Sequence, residues 1–280
     1  MTRTKTRDIP ALTEQARQVR IDIVHMLHES GSGHPGGSLS ATDLLVGLFF
    51  GKMNLDPQQP LWPGRDRFVL SKGHGAPAYY AVLAHLGYFP RQELMSLRQF
   101  DSCLQGHPDC RCTPGVEVCT GSLGQGLSLA NGMALANRLD GNPARVYVML
   151  GDGELQEGQI WEAAMTAAHY KLDNLTAIVD NNRLQIDGFV SEIMNIEPLA
   201  AKWLAFGWHA IEIDGHDMAA ILQALDEAEQ VKGRPSVIVA QTIKGKGVSI
   251  FENKVEYHGV APSTQELEIA RRDLGALQED

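Results

Sequence analysis

The sequence predicts an α/β domain: a doubly wound, mainly parallel sheet with helices on both faces. Three observations predict it. From residue 145 onward, short runs rich in Val and Ile recur, and strands covered on both faces read as near-continuous apolar runs of this kind. Helical patterns alternate with them, as parallel crossovers require. Glycine-rich turns fall at strand ends or helix starts, where open α/β sheets bind ligands. No repeat, low-complexity segment or linker interrupts the chain, so 1–280 reads as a single domain.

The elements follow in order. Apolar positions around Ile21, Val24, Met26 and Leu27 predict a helix over 10–30, stopped by Gly31. "SGSGHPGGS" reads as a glycine loop, and "SATDLLVGLFF" as a largely buried helix with Ser40 as N-cap. "DRFVLSKGHGAPAYYAVLAHLGY" reads as strand, glycine loop and helix; a polar loop spans 101–119. "TGSLGQGLSLANGMALANRL" opens as a loop into a helix of small residues, expected to pack deeply. Strands "RVYVML", "LTAIVD", "HAIEID" and "SVIVAQT" alternate with helices "IWEAAMTAAHYK" and "MAAILQALDEAEQ", and "STQELEIARRDLGALQED" forms a last helix.

Composition bounds the function. The 280 residues are 44% hydrophobic and 21% charged, as in an ordinary globular protein. The net charge of −10 and the scattered Lys and Arg argue against nucleic acid as a partner. No apolar run approaches the ~18 residues that span a bilayer, and the charged N-terminus lacks a signal-peptide core. A cytoplasmic protein with no membrane partner is expected. Cys103, Cys110, Cys112 and Cys119 crowd one segment, with His107 among them. Zinc is conceivable, but C-x-C is a poor chelate spacing, and reduced thiols in a loop are the better reading.

Four glycine turns could bring backbone N–H groups to an anion: "SGSGHPGG", "SKGHGAP", "TGSLGQG" and "LGDGELQEG". Together they point to a phosphate-bearing cofactor, while the dinucleotide and P-loop signatures are missing. Asp152 ends one strand and Asn181 and Asn182 end the next. If those strands are neighbours, a carboxylate, an amide oxygen and a backbone carbonyl meet, a hard oxygen set suited to Mg²⁺. Two ordinary strand-end turns would use the same residues.

The spacing of "GDG" and the later "NN" resembles the thiamine diphosphate fingerprint. "SGHPGG", "SKGHG", "GHPD", "TPGVEVCTGSLGQG", "GDGELQEG", "DNNRLQIDG" and "HGVAP" then occur in the order of a transketolase. The sequence therefore resembles the N-terminal, diphosphate-binding domain of transketolase over nearly its whole length.

The resemblance implies that Asp152, Asn182 and the carbonyl of Leu184 ligate Mg²⁺ and that Gly153 lines the diphosphate pocket. It places Gly121, Ser122 and Leu123 along thiamine diphosphate, with His74, His258 and Lys244 near the diphosphate. His34 and His258 would handle protons on the sugar, and His107 would contact the C1 hydroxyl of the ketose donor. Imidazole can donate or accept near neutral pH. Glu157 and Glu162 would face the dimer interface, in a carboxylate network that joins the two active sites and gives Glu157 a catalytic part, although helix N-termini favour glutamate anyway. Glu154 departs from the small residue expected after "GDG", which questions the local packing.

Thiamine diphosphate chemistry also needs a pyrimidine-binding domain that supplies a glutamate to the cofactor. The resemblance places that domain after residue 280, so it is expected on a separate chain, in an α2β2 assembly acting on sugar phosphates. Two other readings stay open. One is a component of a related enzyme, such as a 1-deoxyxylulose-5-phosphate synthase or a specialised sugar ketolase. The other is a non-catalytic cofactor-binding subunit.

Overall fold

A computed structural model describes residues 5–276. The last four residues of the predicted terminal helix lie outside the described residues. The helices are α1 (Ile9–Ser30), α2 (Pro35–Gly51), α3 (Ala76–Leu86), α4 (Gly126–Leu139), α5 (Gly158–His169), α6 (Val190–Ile193), α7 (Leu199–Ala205), α8 (Met218–Gln230) and α9 (Thr264–Asp273). The strands are β1 (Arg67–Leu70), β2 (Val146–Gly151), β3 (Leu175–Asn181), β4 (His209–Asp214) and β5 (Ser236–Gln241).

The strands form one sheet in the order β1-β2-β3-β5-β4, and every pairing is parallel. Successive side chains of a strand point to opposite faces. In β2, Val146, Val148 and Leu150 enter one core with α4, α5 and α7, while Tyr147 and Met149 enter the other with α1, α2, α3 and α8. Both faces are thus covered, as the apolar runs predict. The exception is β4, an edge strand with Glu212 and Asp214 exposed; among the described residues no further strand covers its outer side.

α6 and α7 were not expected, α9 stops at Asp273 short of the predicted end, and two further helices differ from expectation. α2 begins at Pro35, five residues before Ser40, and all of its residues are buried. Proline carries the φ of a first helical turn, so the glycines after it continue into the helix. A side chain would not fit at Gly36, where a Cβ would lie 2.9 Å from Lys244 Cγ and from the Tyr257 carbonyl. Ser40 is therefore no cap; its hydroxyl donates to Asp180 Oδ2 at 2.6 Å across the core. α4 buries only one side, through Leu127, Ala130, Ala134 and their neighbours. Its small residues Gly132 and Ala136 face outward with Leu129, 42% exposed, and so are open to close approach by another surface.

Candidate active site

The C-terminal ends of β1, β2, β3 and β5 converge on one end of the sheet. Register pairs Gly151 with Asp180, which brings Asp152 beside the turn Asn182–Leu184. Asp152 Oδ1 accepts the Gly153 N–H at 2.7 Å, and its Oδ2 accepts the Arg183 N–H. Asn182 Oδ1 accepts the Leu184 N–H at 3.1 Å. The Leu184 carbonyl receives the Lys244 ammonium at 3.2 Å. Asp152, Gly153, Asn182, Leu184, Lys244, His74, Leu123 and Glu157 all line one cavity of about 260 Å³. A wider depression of about 810 Å³ lies over β4 and β5 but shares only Asn182 with it. Chemistry, not size, identifies the smaller cavity as the site.

Electrostatics fit a site built for a cation and an anion together. Burial, and then the neighbouring Asp180, pushes the Asp152 carboxyl up to about 7. A buried carboxylate costs free energy until a cation joins it. Lys244 is 1% exposed, so it is not a solvated surface lysine. Burial, and then Lys72, lowers its ammonium to about 8. It donates to Nδ1 of His258 at 2.8 Å. An ammonium has no acceptor capacity, so neutral His258 carries its hydrogen on Nε2.

Three imidazoles form a triangle: His34, His74 and His258 have ring centroids 5.3 to 5.6 Å apart. Burial, then nearby cations, lowers all three, His34 to about 4 and His258 to about 3. For His107, burial and then Arg98 act in the same direction. With all four lowered, the neutral ring predominates at pH 7, and each can donate a hydrogen bond through one nitrogen and accept through the other. Nδ1 of His34 and Oγ1 of Thr120 are buried without a partner among the described residues, as expected of atoms that await a ligand. His107 packs on Gly121, whose φ of +142° would strain a side chain and where a Cβ would lie a tight 3.1 Å from the ring. Gly73, next to His74, meets the same loop: a Cβ there would lie 2.8 Å from the Gly121 nitrogen. Ser122 is exposed and does not line the cavity.

A pH dependence follows. His34 is depressed when folded but ordinary when unfolded, so its contribution is present above its unfolded value near 6.5 and is lost as pH falls towards 4. Urea unfolding of the chain between pH 7.5 and 4.5 is expected to show falling stability, with a shallower slope in His34→Asn. Parallel pH profiles for the two proteins would show that His34 takes no part.

Two charged groups were missed from the sequence. Lys72 (1% exposed), which lines the cavity, and Asp180 (0%) form an ion pair of 2.5 Å. Lys72 also donates to the Gly37 carbonyl at 2.9 Å, and Thr242 and Ser40 donate to Asp180. A lone acid ending an apolar strand and a lone base in "SKGHG" were the available signals. Glu154, doubted for packing, is a buried junction. Its carboxylate accepts from Ser71 Oγ, from the Gly124 N–H at 2.9 Å and from the Gly151 N–H at 3.0 Å. It ties the ends of β1 and β2 to the loop before α4. Glu157 and Glu162 are both exposed.

The fold and site define a class: an α/β domain with a polar ligand cavity at the carboxyl ends of a parallel sheet. Residues 11–279 match the family described as "Transketolase, thiamine diphosphate binding domain". The chain belongs to this transketolase family, as its N-terminal, thiamine diphosphate-binding part.

It is 49% identical over 249 residues to a 6-deoxy-6-sulfo-D-fructose transketolase subunit of Clostridium sp. (strain MSTE9), covering 89% of this chain and 90% of that one. An apulose-4-phosphate transketolase subunit of Actinobacillus succinogenes is 44% identical over 264 residues, covering 94% and 95%. The structure of transketolase from Leishmania mexicana superposes with a TM-score of 0.89 at 35% identity, over 94% of this chain but 41% of that one.

Proposed function

We propose that this chain is the diphosphate- and Mg²⁺-holding half of a two-chain transketolase, which moves a two-carbon ketol unit from a ketose phosphate to an aldose. The observation that carries the reading is the convergence of Asp152, Asn182 and the Leu184 carbonyl on one cavity, with Lys244 on that carbonyl. These three hard oxygens would hold Mg²⁺ beside the diphosphate. Thiamine diphosphate, when bound, would supply the nucleophilic carbon for the transfer. Lys244 and Lys72 offset diphosphate charge. Neutral His34 and His258 hold and move protons at the sugar hydroxyl and carbonyl oxygens, and His107 positions the C1 hydroxyl.

The second chain carries the pyrimidine-binding domain, and the relatives named as subunits support this arrangement. Self-association uses the outer face of α4 and α5, where Leu129, Gly132, Glu162 and Met165 are exposed, giving an α2β2 complex. Among the described residues no helix is long and apolar enough to cross a membrane, and we place the complex in the cytoplasm.

The test is reconstitution. The purified chain with thiamine diphosphate, Mg²⁺ and sugar phosphates is expected to give no ketol transfer. Adding the chain that bears the pyrimidine-binding domain is expected to restore it. Turnover by the single chain would refute the two-chain requirement.

A further inference from the structure

Outside the proposed active site, the densest group of reactive side chains is the cysteine-bearing loop. Cys110 and Cys119 are nine residues apart, both exposed, and their sulfurs lie 3.4 Å apart. Their backbones are already held together, because the Thr120 N–H donates to the Pro108 carbonyl at 3.2 Å. Cys112 turns away and donates to the Cys103 carbonyl at 3.4 Å.

Asp109, Cys110 and Cys119 bring ligand atoms within 4.8 Å of one another, a spacing compatible with a metal. Arg111 argues against that. Its guanidinium donates to Asp109 Oδ1 at 2.9 Å and to Oδ2 at 2.5 Å, occupying the carboxylate and placing a positive charge beside it. Two thiols in contact remain, with no third free ligand from this trio.

We propose that Cys110 and Cys119 are a modification site: a thiol pair that forms a reversible intrachain disulfide with a small-molecule disulfide as oxidant. The thiolate of Cys110 attacks one sulfur of the oxidant, forming a mixed disulfide and releasing one small thiolate. Cys119, as thiolate, attacks the Cys110 sulfur, closing the ring and releasing the second. Two protons leave the cysteines, two electrons reduce the oxidant to two thiols, and excess dithiol reverses both steps. The bond would staple the segment after His107 to the segment before Gly121, beside the contact of those two residues. Disulfides in reducing compartments are usually transient and redox-sensing, and an exposed pair suits that use.

The test treats the full chain with oxidised glutathione, blocks free thiols and maps peptides without reduction. Reactive thiols are expected to fall from four to two. One cross-linked peptide pair should join Cys110 to Cys119, and dithiothreitol should release it. Cys112→Ser should leave the cross-link intact, while Cys110→Ser or Cys119→Ser should abolish it. A stable glutathione adduct on one cysteine without ring closure would overturn the proposal. So would a Cys103–Cys112 cross-link, or zinc held at one per chain and lost in Cys119→Ser without any cross-link.

Discussion

Asp152→Ala in the reconstituted two-chain enzyme is expected to lower Mg²⁺-dependent kcat/KM by at least about 100-fold. Partners one step removed from a metal already cost 10- to 100-fold, and a direct ligand costs no less. The change removes the only carboxylate in the proposed ligand set of Asp152, Asn182 and the Leu184 carbonyl. The fold should survive, because that carboxylate is a burden to the folded chain, where burial and Asp180 push it up to about 7. Its loss leaves two backbone donors, Gly153 and Arg183, short of an acceptor. Asp152→Asn can serve one of those donors through its single amide oxygen, sets its NH2 against the other, and lacks the charge. It should fold, with less disturbance than Asp152→Ala, and still turn over poorly at ordinary Mg²⁺. Calorimetric titration with thiamine diphosphate and Mg²⁺ checks the binding, and a ketol-transfer assay checks the rate. Full Mg²⁺-dependent activity in Asp152→Ala would remove Asp152 from the metal site.

What the sequence made legible, and what it hid, separates by range. Val146 to Leu150 read as a strand covered on both faces because each residue type reports its own burial. The pairing of Gly151 with Asp180 followed, because consecutive parallel strands tend to be neighbours. The start of α2 was misplaced because "HPGGS" is loop chemistry locally. Only the approach of Lys244 and Tyr257 explains why glycines sit inside that helix. Lys72 and Asp180 escaped notice for a similar reason. They are separated by 108 residues, and neither has a helical or strand period that reveals its partner. Glu154 looked out of place beside the resemblance, yet its three donors come from Ser71, Gly124 and Gly151. Long-range polar pairing is a property of the assembled sheet end, not of any one stretch.

That distinction yields the second large effect. Lys72→Met is expected to destabilise the chain by about 3–5 kcal/mol, the usual cost of leaving one member of a buried ion pair alone. Asp180 is wholly buried; after the change its carboxylate keeps Ser40 and Thr242 as donors but loses the cation it contacts. Methionine nearly matches lysine in length, so the loss reports charge more than volume. Adding Asp180→Asn should recover a good part of the stability, since the amide needs no counter-charge and can accept from one hydroxyl while its NH2 donates to the other. Urea unfolding of the parent, the two single variants and the double variant closes a cycle, and a coupling energy of about 2 kcal/mol or more is expected. Additive single effects would mean that the pair is not coupled. Lys72 also lines the cofactor cavity, so its variants separate two roles. A Lys72→Met chain with unchanged stability but weakened thiamine diphosphate binding would make Lys72 a diphosphate contact. Loss of stability without ligand, recovered by Asp180→Asn, would make the pair the foundation on which the strand ends hold Asp152 and Asn182 in place.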